Sequence, residues 1–176
     1  MHDEIETLTP EDEGALAELL AARSSFDLQG AVGFMHAVVS SPAPIALDAW
    51  RRVVRPDDAA HDELDRLLCA AFRVVDVETS RRRPFTPPPA DADACASFAR
   101  GYLVGLELWP RSVPRDDRVR CAAWACALAD RLDLLPASDR AQFRLTTEGR
   151  AALRREIGRF MLLTYDLFAA PALLAS

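Results

Sequence analysis

The sequence predicts an all-α fold, a single compact multi-helix domain of about seven helices. Three observations predict it. Apolar residues recur at helical spacing along most of the chain, and no stretch alternates with period two. Helix-opening residues precede several of these stretches, as in Thr9-Pro10-Glu11. Prolines fall mainly between the periodic stretches. A chain of 176 residues buries about 70% of the surface its unfolded form exposes. Residues 1–176 are therefore expected to form one domain without a disulfide or a metal.

The first helix opens at Thr9, a good N-cap. Pro10 suits the first turn, and Glu11, Asp12 and Glu13 oppose the helix dipole. Leu16, Leu19 and Leu20 form its apolar stripe to about Arg23. A second helix runs from about Asp27 to Ser40, and a short third covers Leu47 to about Val54 with Trp50. The fourth spans about Asp58 to Val77 on a stripe of Leu64, Leu67, Leu68, Ala71, Phe72 and Val75. Residues 79–92 hold a Pro- and Arg-rich stretch, read as an extended connector within the domain. The fifth helix covers about Asp93 to Leu108, and Pro110 and Pro114 separate it from a sixth, about Arg115 to Leu132. A loop follows to Leu145, with one turn at ASDRAQF. The seventh helix starts near Thr146 or Thr147 and is expected to end before Pro171.

The second helix poses a problem. Leu28 to Leu47 carries no Asp, Glu, Lys or Arg. Pro42 and Pro44 cut it too short for a membrane span, which needs about 20 helical residues, so it reads as a buried core helix. It nevertheless holds Gly30 and Gly33, each costing roughly 1 kcal/mol against Ala. Leu28, Val32, Met35 and Val39 form a large apolar face, while Gly30, Gly33, Ala37 and Ser40 lie roughly opposite. The fifth helix has a matching small stripe, Ser97, Gly101 and Gly105, beside Phe98, Tyr102, Leu106 and Trp109. The economical reading is that the two glycine stripes face each other, or that each faces another helix closely. A phosphate-binding glycine loop fits poorly, because no strand-turn-helix context surrounds either pair.

At these residues the chain resembles the YecA/YgfB family of bacterial proteins. Gly33-Phe34-Met35-His36-Ala37, followed by Pro42 and Trp50, is similar to one family segment. Phe98-Ala99-Arg100-Gly101-Tyr102-Leu103-Val104-Gly105 is similar to a second, and Phe85-Thr86-Pro87 to a Phe-x-Pro between them. The family often has Asp where this chain has Val32, and Trp where it has Phe98. Longer members carry a C-terminal Cys-rich zinc segment. This sequence ends in FAAPALLAS, so it resembles the shorter, YgfB-like form. The resemblance implies an all-helical fold, often dimeric, with no established catalytic activity and roles through protein contacts.

Composition argues in the same direction. The 21 basic residues are all Arg, and the net charge of −6 repels a phosphate backbone on average. The acidic start MHDEIETLTPEDE has no apolar signal region, so a cytoplasmic location with reduced Cys69, Cys95, Cys121 and Cys126 is expected. Cys121 and Cys126, five apart on one helix, point about 140° from each other. That spacing suits a shared zinc poorly, and neither metal nor cofactor is expected. His61 and Asp65 could share a face, but no second pair completes a site.

Three functions remain. The favoured one is a non-catalytic helical domain that binds another protein or itself, as an adaptor or regulator. A homodimer or partner interface is expected at Leu162 and Tyr165, with Arg155 and Arg159 at its rim, because the last helix turns apolar on several sides. The alternative is a regulator touching nucleic acid through Arg81-Arg82-Arg83 and through Arg150, Arg154, Arg155 and Arg159. The third is an enzyme centred on His36, the only candidate for a buried base.

Overall fold

The structure, a computed structural model, describes residues 8–55 and 62–174, without the side chains of residues 115, 116, 119, 120 and 170–174. The described residues form nine α-helices and no strand. They are α1 (Pro10–Arg23), α2 (Leu28–Val39), α3 (Leu47–Val54), α4 (Asp62–Ser80), α5 (Ala92–Leu106), α6 (Arg115–Leu128), α7 (Ala137–Arg140), α8 (Thr147–Arg155) and α9 (Ile157–Leu174), with a 3-10 turn at Leu132–Leu134.

Two of these helices exceed the expected seven. One is the single turn α7, which falls in the ASDRAQF loop. The other comes from a break in the last helix. At Glu156 the ladder tightens to a bond from the Glu156 N–H to the Leu153 carbonyl, 3.0 Å, and α9 restarts at Ile157 just before Gly158. Nor does α9 stop before Pro171. It continues to Leu174, because a proline this near the end removes one ladder bond with little helix left to lose.

The local signals decide most boundaries. The Thr9 side chain accepts the Asp12 N–H at 3.1 Å and the Asp12 carboxylate accepts the Thr9 N–H at 3.2 Å, a reciprocal capping box that opens α1. Asp27 caps α2 by accepting the Gly30 N–H at 2.7 Å. The expected start of the fourth helix at Asp58 lies outside the described residues, as does His61. Its other end overruns Val77 to Ser80. There Arg82 adopts the left-handed region, φ 66°, and the Arg83 N–H reaches the Glu78 carbonyl at 2.8 Å, a turn that glycine usually makes. Asp130, φ 55°, does the same after α6. It stops that helix at Leu128, short of the expected Leu132.

Helix α2 is the centre of the molecule, with every residue from Gly30 to Val38 buried. Its small face lies on α5, so the two glycine stripes do meet. A Cβ added to Gly33 would strike the Phe98 backbone, and one added to Gly101 would strike the Gly30 carbonyl. At Gly105 it would come within 2.6 Å of the Ala37 Cβ and 2.8 Å of the Phe34 carbonyl oxygen. The backbones therefore touch along three helical turns. Two polar contacts fix the register. The Ser97 hydroxyl donates to Asp27 at 2.6 Å, and Trp109 Nε1 donates to the Ala37 carbonyl at 2.7 Å. The dispersion contacts of this close seam offset the propensity cost of the glycines.

Helices α1, α4 and α9 pack around the remainder of α2. One contiguous apolar core collects side chains from α1 to α6 and α9. Aromatic pairs tie the periphery to it. Trp50 of α3 stacks on Phe72 of α4 at 5.4 Å, Trp124 of α6 stacks on Phe160 of α9 at 5.7 Å, and Trp109 meets Phe168 of α9 edge-on at 5.0 Å.

Candidate functional site

The residues that carry the family resemblance sit in the interior. Gly33, Phe34, Ala37, Gly101 and Gly105 make the α2–α5 seam. Tyr102 is fully buried, donates to the Thr164 hydroxyl at 3.4 Å and packs on Trp124. Burial pushes its phenol far above its ordinary range. Trp50 is buried against Phe72, and Pro42 turns the chain after α2. These positions are occupied by packing.

Phe85 and Pro87 belong to the connector between α4 and α5, and His36 explains how it is held. The His36 ring is wholly buried. Its Nε2 lies 2.7 Å from the Phe85 carbonyl oxygen, which can only accept, so Nε2 carries the proton and donates. Nδ1 is left to accept from the Thr79 hydroxyl at 3.4 Å. Burial lowers its pKa to about 4, against a smaller opposing effect of the Phe85 bond. The imidazole is thus neutral at pH 7, engaged at both nitrogens and screened from solvent. That arrangement ties the connector to α2.

The Arg clusters are largely engaged. Both oxygens of Asp166 accept from Arg82, which links the α4 terminus to α9. Arg81 and Arg83 share Glu78, at 3.5 and 3.2 Å. Arg150 pairs with Asp130 at 2.6 Å, Arg154 donates to the Pro89 carbonyl at 2.9 Å, and Arg159 lies 3.6 Å from Glu156. Four neighbouring acids, Glu78, Asp130, Glu156 and Asp166, offset part of this charge where a phosphate would have to land.

The expected interface requires a correction. Tyr165 is only 8% exposed and lies on the side of α9 turned toward the chain's own helices, where it lines a cleft. It follows Ile157 by eight residues and Met161 by four, so it continues their buried stripe. Leu162 is half-buried. The outer face belongs instead to Leu163 and Leu167, 47% and 66% exposed and four residues apart. Arg159 stands one turn before Leu163 with its side chain 75% exposed, and Arg155 is exposed at the end of α8. The expected interface does not include Leu167, although its four-residue spacing from Leu163 is visible in the sequence.

The four cysteines are thiols, three of them buried. Burial raises the Cys95 and Cys126 thiols, the latter to about 11. Among the described residues no group of three or more His, Cys, Asp or Glu could hold a metal ion, and no helix is long and apolar enough to cross a membrane. Comparison with protein-family models, curated proteins and solved structures finds no match.

Proposed function

We propose that this chain is a non-catalytic, YecA/YgfB-like helical domain acting in the cytoplasm through protein contact, and that the outer face of α9 pairs with a second copy of the chain. The observation that carries the reading is the exposed Leu163–Leu167 strip on a helix whose other side is already buried. A terminal helix with two adjacent large apolar residues in water is the kind of surface that a partner covers. The rim carries both signs, Arg159 and Glu156, which suits a two-fold contact in which each patch meets its own image. The engaged His36 and the paired Arg residues favour this reading over an enzyme or a nucleic-acid regulator.

Sedimentation or light scattering across a concentration series tests it. The expected result is a wild-type dimer, with Leu163→Glu/Leu167→Glu a folded monomer of unchanged helix content. A wild type that stays monomeric at 100 times its working concentration, or a double variant that stays dimeric, overturns the choice of this face for self-association.

A further inference from the structure

On the opposite side of α9 a cleft of about 380 Å³ opens between the end of α2, the loop 41–45, α4 and α9. Its volume is at the small end of the range for small-molecule sites. Val39, Ile45 and Phe72 give it apolar walls, while Asp76 and Tyr165 supply charge and a hydroxyl. The loop is stiff. Pro42 and Pro44 restrict it, and the Ser41 hydroxyl donates within it to the Ala43 carbonyl at 2.7 Å. The cleft is therefore largely formed in advance.

Asp76 is the one carboxylate among the residues that line the cleft. Asp76 has no hydrogen-bond or ion-pair partner among the described residues. It is exposed at the mouth, yet protein crowds its cleft side, and this desolvation raises its carboxyl above the usual value with no cation to bring it back. Arg82, the cation near Tyr165, is held by Asp166. No hydrogen bond among the described residues engages the Tyr165 hydroxyl.

A carboxylate at the mouth of an apolar cleft repels anions and favours a charged donor. The phenolic oxygen beside it can accept a further N–H, and the walls suit a short hydrocarbon stem. We propose that this cleft binds a small aliphatic amine, its ammonium group on Asp76 and Tyr165 and its alkyl stem against Val39, Ile45 and Phe72. The site is independent of the Leu163–Leu167 face, because Tyr165 and Ala169 are on the buried side of α9.

Titration of the ¹⁵N-labelled protein with n-pentylamine, 1-pentanol and pentanoate at pH 7 and 150 mM NaCl tests the proposal. Saturable shifts confined to residues 38–45, 72–76 and 165–169 are expected for the amine, with affinity at least tenfold above the alcohol and no binding of the acid. Asp76→Asn should reduce amine affinity at least tenfold at an unchanged urea midpoint. Ile45→Trp, which keeps the carboxylate and fills the cleft, should reduce it as well. Equal binding of amine and alcohol, full affinity in either folded variant, or shifts centred elsewhere would overturn the site. Nα-acetyl-lysine amide binding tenfold tighter than n-pentylamine would overturn the free amine as the ligand.

Discussion

Replacing Gly101 by Ala should destabilise this protein, although the same exchange ordinarily stabilises a helix by about 1 kcal/mol. The new Cβ would land on the backbone of Gly30, whose Cα would be 2.9 Å away and whose carbonyl oxygen would be nearer still. Backbone within a buried helix cannot swing aside as a side chain can, so α2 and α5 must separate along the seam. Overpacking of this kind costs about 1–3 kcal/mol, and a clash with backbone rather than a side chain belongs at the upper end, about 3 kcal/mol. After subtracting the propensity gain, the net loss should be about 2 kcal/mol, and Gly101→Leu should lose several. With a urea slope near 2 kcal/mol/M, Gly101→Ala lowers the midpoint by about 1 M. Gly14 provides the control, since a Cβ there meets nothing within 4 Å. Gly14→Ala should raise the midpoint by up to ~0.5 M, from a gain of up to ~1 kcal/mol over the same slope. If both variants move the midpoint upward, the backbone-to-backbone account of the seam is wrong.

Further outcomes follow from named contacts. His36 has a folded pKa of about 4 against 6.5 when unfolded, so the unfolded chain binds this proton more readily. Its contribution is fully present above about pH 6.5 and is lost as pH falls toward about 4, roughly 3 kcal/mol in all. Urea midpoints for wild type and His36→Gln across that window should converge at low pH, and parallel profiles would contradict the burial argument. Asp27 accepts from both the Gly30 N–H and the Ser97 hydroxyl. Asp27→Ala should therefore cost about 2 kcal/mol and Asp27→Asn less, a ranking that thermal melts can check. Trp109→Phe leaves the Ala37 carbonyl without its buried donor and should cost about 1–3 kcal/mol, read from the same melts.

What was legible in the sequence was local or periodic. Thr9 and Asp12 announce their own cap, and the small residues of α2 and α5 mark two faces for close packing, though not that the two meet each other. The missed features depend on distant partners or on backbone. The acceptor for His36 is the carbonyl of Phe85, 49 residues away, and a carbonyl leaves no trace in residue identity. Arg82 and Asp166 are 84 residues apart, so a run of three arginines looked like a free basic patch. Tyr165 is expected on the outer face because the apolar residues of α9 surround the helix, and hydrophobicity alone does not say which arc turns inward. The unpaired Asp76 had a faint signal, an acid set among Val74, Val75 and Val77 on α4.

The seam also bears on how the protein is made. Asp27 and Ser97 are 70 residues apart, with α3 and α4 between them. At about 5–20 residues per second of synthesis, α2 leaves the ribosome roughly 4–14 s before the helix that covers its glycine face. During that interval an uncharged, apolar segment stands open in a nascent chain that has no backbone partner to offer it. Loss of α5, by truncation or by stalled translation, would leave that segment as a target for chaperones and proteases, with no partly folded domain to shelter it.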